Sequence, residues 1–462
     1  MCTETLGINQ LIAAANKNDR LKLLNDASVL AGNLDNPIHP IFHDASFLEK
    51  SLHLRQALQL ASLFIEHDSL LEFFIPLTYG RQQIDPATGK AFLTNPAVWK
   101  SDAEIKLYLK GVRKALHCLE HCVVFRWVSG EGTERLWGRT RLFERHPCHT
   151  STCSNAFKYR SSVLIELNNK MLRFYDDEEN GYRTRSKCDQ FRHDFQLATT
   201  LIHELVHAYG AMRRGGLSEP FIRLDYPADS AEWGYAWENF MFGAIINPQD
   251  RSTFGTHVQL RKTWADPEVA KANGGKEYST VPVRWTAQWF RKETWAKIEK
   301  GGPLAIPHSV TQLKFVSSTK YHRWVIMTDV PGTRDDISKL HDAAVAAKLR
   351  NPNFTQKDLE LRRVLWTLVD SEYLQRTNVP IPVRVPERFS YKTVTCSTAK
   401  VASRESLVSS TSLTCTTTLT TTVRTALSEL SPLSPRGGNT RPKRRRDEDE
   451  TPSPRPYKAT KL

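Results

Sequence analysis

Along LHLRQALQLASLFIEHDSLLEFFIPL, apolar residues recur at three- and four-residue steps, and residues 1 to about 78 are predicted to be helical. IDPATGKAFLTNP interrupts that rhythm with Pro and Gly and reads as a loop. Between residues 103 and 123 the pattern returns, with Ile105, Leu109, Val112, Leu116, Leu119 and Val123 on one helical stripe. SSVLIELNNKMLRFY reads as a strand that ends in a turn at Asn168-Asn169. A helix is predicted over DQFRHDFQLATTLIHELVHAYGAM, ended by Gly210 or by Gly215-Gly216, and another over AEWGYAWENFMFGAI. Residues 283–302 form a third, whose Trp285, Trp289 and Trp295 sit at helical spacing and read as core. TQLKFVSS and RWVIMTDV are predicted strands, and DISKLHDAAVAAKLR and KDLELRRVLWTLVDSEYLQ are predicted helices. The sum is an α+β chain, mostly helical.

From about residue 395 the pattern stops. Of the 68 residues from there on, 24 are Ser or Thr and Tyr457 is the one aromatic. Such a segment buries too little apolar surface to offset the entropy of ordering it, so a disordered tail is expected. The tail holds a net charge of +6 out of the chain's +14. Its densest run, RPKRRR, makes Lys443, Arg444, Arg445 and Arg446 a candidate nuclear-import signal, with an import receptor as partner. Ser431, Ser434, Thr451 and Ser453 each precede Pro, which suits proline-directed phosphorylation beside it. The same charge allows weak nucleic-acid binding, although no aromatics are interleaved with it.

Composition narrows the setting. At a mean hydropathy of −0.45, no run of the 462 residues reaches the apolar length of a membrane span. The start, MCTETLGINQ, lacks the basic and apolar regions of a secretory signal. The eight cysteines are too scattered for a disulfide framework, which fits a reducing compartment. A nuclear protein, with some cytoplasmic presence and no membrane partner, is expected.

The chemistry concentrates in TTLIHELVHAYG. On a helical wheel, Ala198, Leu201, Ile202, Leu205, Val206 and Tyr209 make a broad apolar arc. Opposite runs a narrow polar strip of Gln196, Thr200, His203, Glu204 and His207. The two imidazoles are one turn apart and point the same way, a spacing that suits a single Zn²⁺. Glu204 lies too far round to join them as a ligand, but can take a proton from a metal-activated water.

This H-E-x-x-H run resembles the active-site helix of the zincin metallopeptidases. The resemblance implies a zincin-like core of a small sheet plus that helix, with one zinc per chain and a peptide or protein substrate. His203 and His207 would be zinc ligands and Glu204 the general base. The strand Ser162–Leu167 would be the edge along which the substrate lies. The metzincin pattern requires a third His where Arg213 stands, so it is excluded. In gluzincins the third ligand is a downstream Glu, and two candidates exist, Glu232 and Glu238. They point about 120° apart on one helix, so only one can reach the metal. Glu232 is preferred: it starts the helix, Gly234 would allow close approach, and Asn239 shares its face as an outer hydrogen-bonding group. The stretch E-x-G-x-A-W-E-N-x-x-F-G is also similar to one in fungal zincin-like proteins. One departure from gluzincins is Ala236, where many carry an acid that bonds the first His.

The implied organisation is a helical segment at 1–95, a zincin-like metal-binding domain at 96–330, a helical segment at 331–394 and the tail at 395–462. Tyr321 and His322 are candidate oxyanion stabilisers. His117, Cys118, His121 and Cys122, and then His146, Cys148, His149 and Cys153, form two further clusters. Neither holds a C-x2-C pair, so a helix buried on both sides is the expected reading rather than a second zinc. The function this supports is zinc-dependent peptide hydrolysis. The alternatives are an inactive zincin-fold scaffold or a nuclear protein that binds nucleic acid.

Overall fold

The structure is a computed structural model. It describes residues 8–368 apart from 131–132, 134–135, 145–148, 154–161, 223–231, 249–256, 263–274, 308–312, 319–322, 329, 331, 334, 338 and 340–364. The expectations for Tyr321, His322, the helix after residue 340, the disordered tail, its phosphorylation sites and the basic run Lys443–Arg446 lie outside the described residues.

The N-terminal helical expectation breaks into pieces: α1 (Ile8–Ala15), α2 (Arg55–Phe64), α3 (Asp68–Leu71) and α4 (Phe74–Tyr79), with residues 20–39 mostly irregular. The predicted loop carries a small hairpin, β1 (Gln82–Ile84) with β2 (Ala91–Leu93). The stripe from Ile105 becomes α5 (Asp102–Leu119), started by a capping box between Ser101 and Glu104. Then come β3 (Val123–Val128), β4 (Gly138–Phe143), β5 (Ser162–Asn168) and α6 (Asn169–Asp176). The last corrects the expected turn. Asn168 caps the helix by accepting from the Lys170 N–H, so the chain passes from strand to helix without a turn.

The helix α7 (Lys187–Arg214) is longer than predicted at both ends. Ser186 caps its start, and Gly215, at φ 80°, ends it in the left-handed conformation. Gly210 does not end it: a Cβ there would meet the Trp233 ring at 1.6 Å, so this glycine admits a tryptophan. Next is α8 (Trp233–Phe242), closed by Gly243 at φ 63°. The residues after it, predicted to extend the helix, begin β6 (Ile245–Pro248), followed by β7 (Gln259–Lys262) and β8 (Gly275–Val281). The Trp-rich segment splits into α9 (Val283–Ala287) and α10 (Lys292–Gly301), and β9 (Lys314–Ser318) and β10 (Arg323–Thr328) follow as expected. In KDLELRRVLWTLVDSEYLQ the described part is a strand, β11 (Leu365–Leu368), not a helix. It pairs parallel with β10, a tertiary partner that outweighs local helical periodicity.

Two sheets matter. One runs in the order β11-β10-β9-β8-β7-β6 and the other in the order β3-β5-β4. In the second, β5 is central, parallel to β3 and antiparallel to β4. This corrects the expectation that residues 162–167 form an exposed edge. All seven residues of β5 are buried and both sides are paired. Among the described residues the edges are β3 and β4, and the Thr140 side chain of β4 meets α7.

The architecture is mixed α+β, organised round α7, which packs against α2, α4, α5, α8, α9, β4 and β5. Phe195 on its inner face joins Phe64, Phe242, Trp285 and Trp289 in an edge-to-face aromatic cluster that extends to Trp237 and Trp295. The tryptophans of 285–295 are thus core, as their spacing predicted. A smaller apolar cluster joins Ile12, Leu21 and Leu23 to Leu260 and Phe315 of the six-stranded sheet and to Val258 just before β7. No described helix is long and apolar enough to cross a membrane.

Asp194 shows how tightly α7 is held. Its fully buried carboxylate accepts from Tyr175 (2.8 Å), Tyr182 (2.7 Å) and Gln56 (2.7 Å), which ties α2 and α6 to the helix. Burial pushes its carboxyl up to about 7, against the pull of those three donors. A raised carboxyl contributes stability that is complete below the ordinary value of 3.8 and is lost as pH rises through about 7. Asp194→Ala strands three buried donors and should cost on the order of 3 kcal/mol in urea unfolding. Asp194→Asn should flatten the melting temperature's pH dependence between 4 and 7; an unchanged profile would refute the assignment.

Candidate metal centre

The polar strip of α7 lies deeper than a surface stripe. Gln196, Thr200 and Glu204 are buried, and the side chains of His203 and His207 are only 15% and 13% exposed. Burying two imidazoles at this depth requires partners. They come from the next stretch of chain.

Glu232 is the N-cap of α8. One oxygen accepts from the Tyr235 N–H and closes the first turn, while the other stands 3.0 Å from His203 Nε2 and 2.7 Å from His207 Nε2. Ligand atoms of His203, His207 and Glu232 all lie within 4.8 Å of one another. These three residues, from two helices, could hold one metal ion. The approach needs Gly234, since a Cβ there would sit 2.5 Å from three atoms of the His203 ring.

Glu238 is elsewhere. Its Oε1 lies 2.8 Å from His203 Nδ1, on the opposite side of the ring from Glu232, and Oε2 accepts from the Ile246 N–H. The two acids embrace one imidazole from both sides, as their separation round the helix requires. The acid that engages His203 Nδ1 is Glu238, two residues beyond Ala236. Asn239, expected in such a role, is buried on α8.

The sequence reading missed Glu219. Its Oε1 lies 2.5 Å from His207 Nδ1 and its Oε2 accepts from the Trp233 N–H at 2.9 Å. It therefore orients the second imidazole and the start of α8 at once. It sits in a non-repetitive stretch with no periodicity to mark it. Thr140 was missed for the same reason: its Oγ1 is 2.7 Å from Glu204 Oε2, across from β4. Gly138 on that strand leaves room for the Glu204 side chain, whose Cγ would be 2.6 Å from a Cβ there.

The electrostatics follow from three acids around two imidazoles. Burial alone would lower His203, but the charge of Glu232 and hydrogen bonds to Glu232 and Glu238 hold it well above the usual histidine range. Burial also opposes His207, which Glu219 and Glu232 raise to about 9. Despite its own burial, Glu232 is held well below the usual carboxylate range by the two imidazoles. The cluster thus binds positive charge tightly at neutral pH. A divalent cation would displace the imidazole protons, so that metal uptake and proton release are coupled.

No family model, curated relative or solved structure matches the chain.

A raised histidine contributes stability that is complete below 6.5 and is lost as pH rises through its folded value, here about 9. Chelator-treated protein should therefore lose melting temperature between pH 6.5 and 9, and His207→Gln should reduce that decline, His203 contributing the remainder. A flat profile in the chelated wild type would contradict the charge balance described. Gly234→Ala should displace His203 and cost about 1–3 kcal/mol in the same measurement.

Proposed function

We propose that the chain is a zinc-dependent peptide hydrolase with a zincin-like core formed by α7, α8 and the sheet β3-β5-β4. The observation that carries this reading is the convergence of His203 Nε2, His207 Nε2 and one Glu232 oxygen, with each Nδ1 already engaged by a carboxylate. Catalytic zinc sites take three protein ligands and leave one position open, and histidine ligands characteristically give their second nitrogen to a carboxylate. Two neutral imidazoles and a carboxylate suit zinc better than calcium or magnesium, which prefer all-oxygen shells. When bound, the zinc would supply a Lewis acid that acidifies a water and polarises a substrate carbonyl.

The chain's own residues do the rest. Glu204 directly follows His203 in sequence but turns its carboxylate toward β4, where Thr140 fixes it. It is the group to accept a proton from the attacking water and pass it to the leaving amine. Glu219 and Glu238 keep the imidazoles in the tautomer that presents Nε2 to the metal.

The substrate would lie along β4. Trp137 accepts from the Asn168 N–H, which makes the odd-numbered residues of β4 the ones bonded to β5. By the antiparallel alternation, the backbone groups of Gly138, Thr140 and Leu142 face away from β5, with no strand partner among the described residues, and could pair with an extended peptide. Two of these three flank Glu204. An exposed strand edge beside a general base favours a peptide substrate over a small molecule, and hydrolysis over an inactive scaffold or nucleic-acid binding by the tail.

Freshly purified protein should lose one zinc per chain on His203→Ala, and a Glu232→Gln variant should hold that zinc less tightly. Glu204→Gln should keep the full zinc content while hydrolysis of an unstructured peptide library falls by at least a hundredfold, the scale of a lost general base. Glu238→Gln should weaken zinc binding by about 10–100-fold. Identical zinc content in wild type and His203→Ala would sink the proposal.

A further inference from the structure

A second group of metal-type side chains lies away from α7's histidines, at the far end of α5. Cys118 is one residue from the end of that helix, and Cys122 lies on the turn that leads into β3. The other half comes from the connection between β4 and β5, where His149 and Cys153 bracket a turn closed by the Cys153 N–H to the Thr150 carbonyl at 3.2 Å. A ring nitrogen of His149 and the sulfurs of Cys118 and Cys153 all lie within 4.8 Å of one another. Cys122 is held beside them, its Sγ 3.5 Å from the Cys118 carbonyl oxygen and its own carbonyl accepting from the Val163 N–H at the start of β5. The three cysteines are 1%, 2% and 8% exposed, and none is in a disulfide.

Buried cysteines are often no more than small apolar residues. Two things separate this group from that case. An imidazole nitrogen sits among the sulfurs, and the donors come from two places in the chain, each with a C-x3-C or H-x3-C spacing. We propose that Cys118, Cys122, His149 and Cys153 form a structural zinc site of the Cys3His type. At a Zn–S distance of about 2.3 Å, tetrahedral geometry sets sulfurs roughly 3.8 Å apart; Cys118 and Cys153 meet that within the 4.8 Å limit, and the Cys122 thiol, now on the Cys118 carbonyl, would turn to complete the shell. Thiolate and imidazole donors select zinc over the hard divalent cations. Binding exchanges the three thiol protons, released to solvent, for one Zn²⁺, with no change of oxidation state.

The site would fasten the β4–β5 connection to the end of α5. Since β4 carries the residues that face Glu204, its register would depend on this fastening. The proposal uses none of the α7 or α8 ligands and stands or falls separately from the hydrolase reading.

The test uses the full chain. Protein stripped of metal by chelator under reducing conditions is titrated with Co²⁺, which reports thiolate ligands by sulfur-to-cobalt charge-transfer absorption. Wild type and His203→Ala should both show the bands, because the α7 site has no sulfur ligand. Cys118→Ser and Cys153→Ser should lose them, and Cys188→Ser, a buried cysteine outside the group, should keep them. If the first two variants do not fold, X-ray absorption on zinc-loaded His203→Ala decides, with three sulfur and one nitrogen neighbours expected. A shell of nitrogen and oxygen alone, absent charge-transfer bands in the wild type, or a Cys118–Cys153 disulfide in protein purified under reducing conditions would overturn it.

Discussion

The buried pair of imidazoles on α7 sets the terms for everything around it. A helix packed on nearly every side cannot leave two ring systems without partners, because the desolvation cost of such groups is several times what one hydrogen bond returns. The chain meets that demand with three carboxylates. Two of them, Glu219 and Glu232, also satisfy the first backbone N–H groups of α8. Capping and charge balance are therefore one arrangement: the helix start that would otherwise carry orphan donors is where the anions have to be. Remove the imidazoles and α8 has no reason to approach so closely that only glycine fits at position 234.

The same economy shapes the sheet. β5 is buried on both faces and paired on both edges, and β4, an edge strand that also packs on α7, supplies Gly138 and Thr140 to accommodate Glu204. Under the hydrolase reading, general base and substrate edge are brought together by one strand. The proposed Cys3His site adds a constraint on the loop that leaves that strand. Three features from distant parts of the chain then bear on one carboxylate. Asp194, one helical stretch earlier on α7, fixes the helix to α2 and α6 so that its histidines face α8.

Much of the local structure was legible. The stripe from Ile105 to Leu119, the oily arc of α7 and the Trp spacing at 285–295 are periodic over several turns, where burial reinforces one pattern repeatedly. The failures were short or dependent on a partner. Residues 169–176 form a helix because Asn168 caps it, a signal that also fits a turn. Residues 365–368 are a strand because β10 lies alongside, and nothing local distinguishes that from helix. Strands β6, β7 and β8 were not anticipated, since four to seven residues hold too few repeats to establish a period.

The sequence alone determined which side chains could do chemistry: the spacing of His203 and His207 places both rings on one face of any helix that contains them. The resemblance to gluzincins offered Glu232 and Glu238 as candidate third members, and helix geometry says that both cannot aim at one point. Which acid faces Nε2 and which faces Nδ1, that Glu219 joins them, and that β4 rather than β5 is an edge strand were decided by tertiary structure. Cys118 and Cys122 meeting His149 and Cys153 belongs with these. Spacing along a helix is a local property with a fixed period, whereas the meeting of two helices or two loops depends on how the whole core packs, and no short window of sequence contains that.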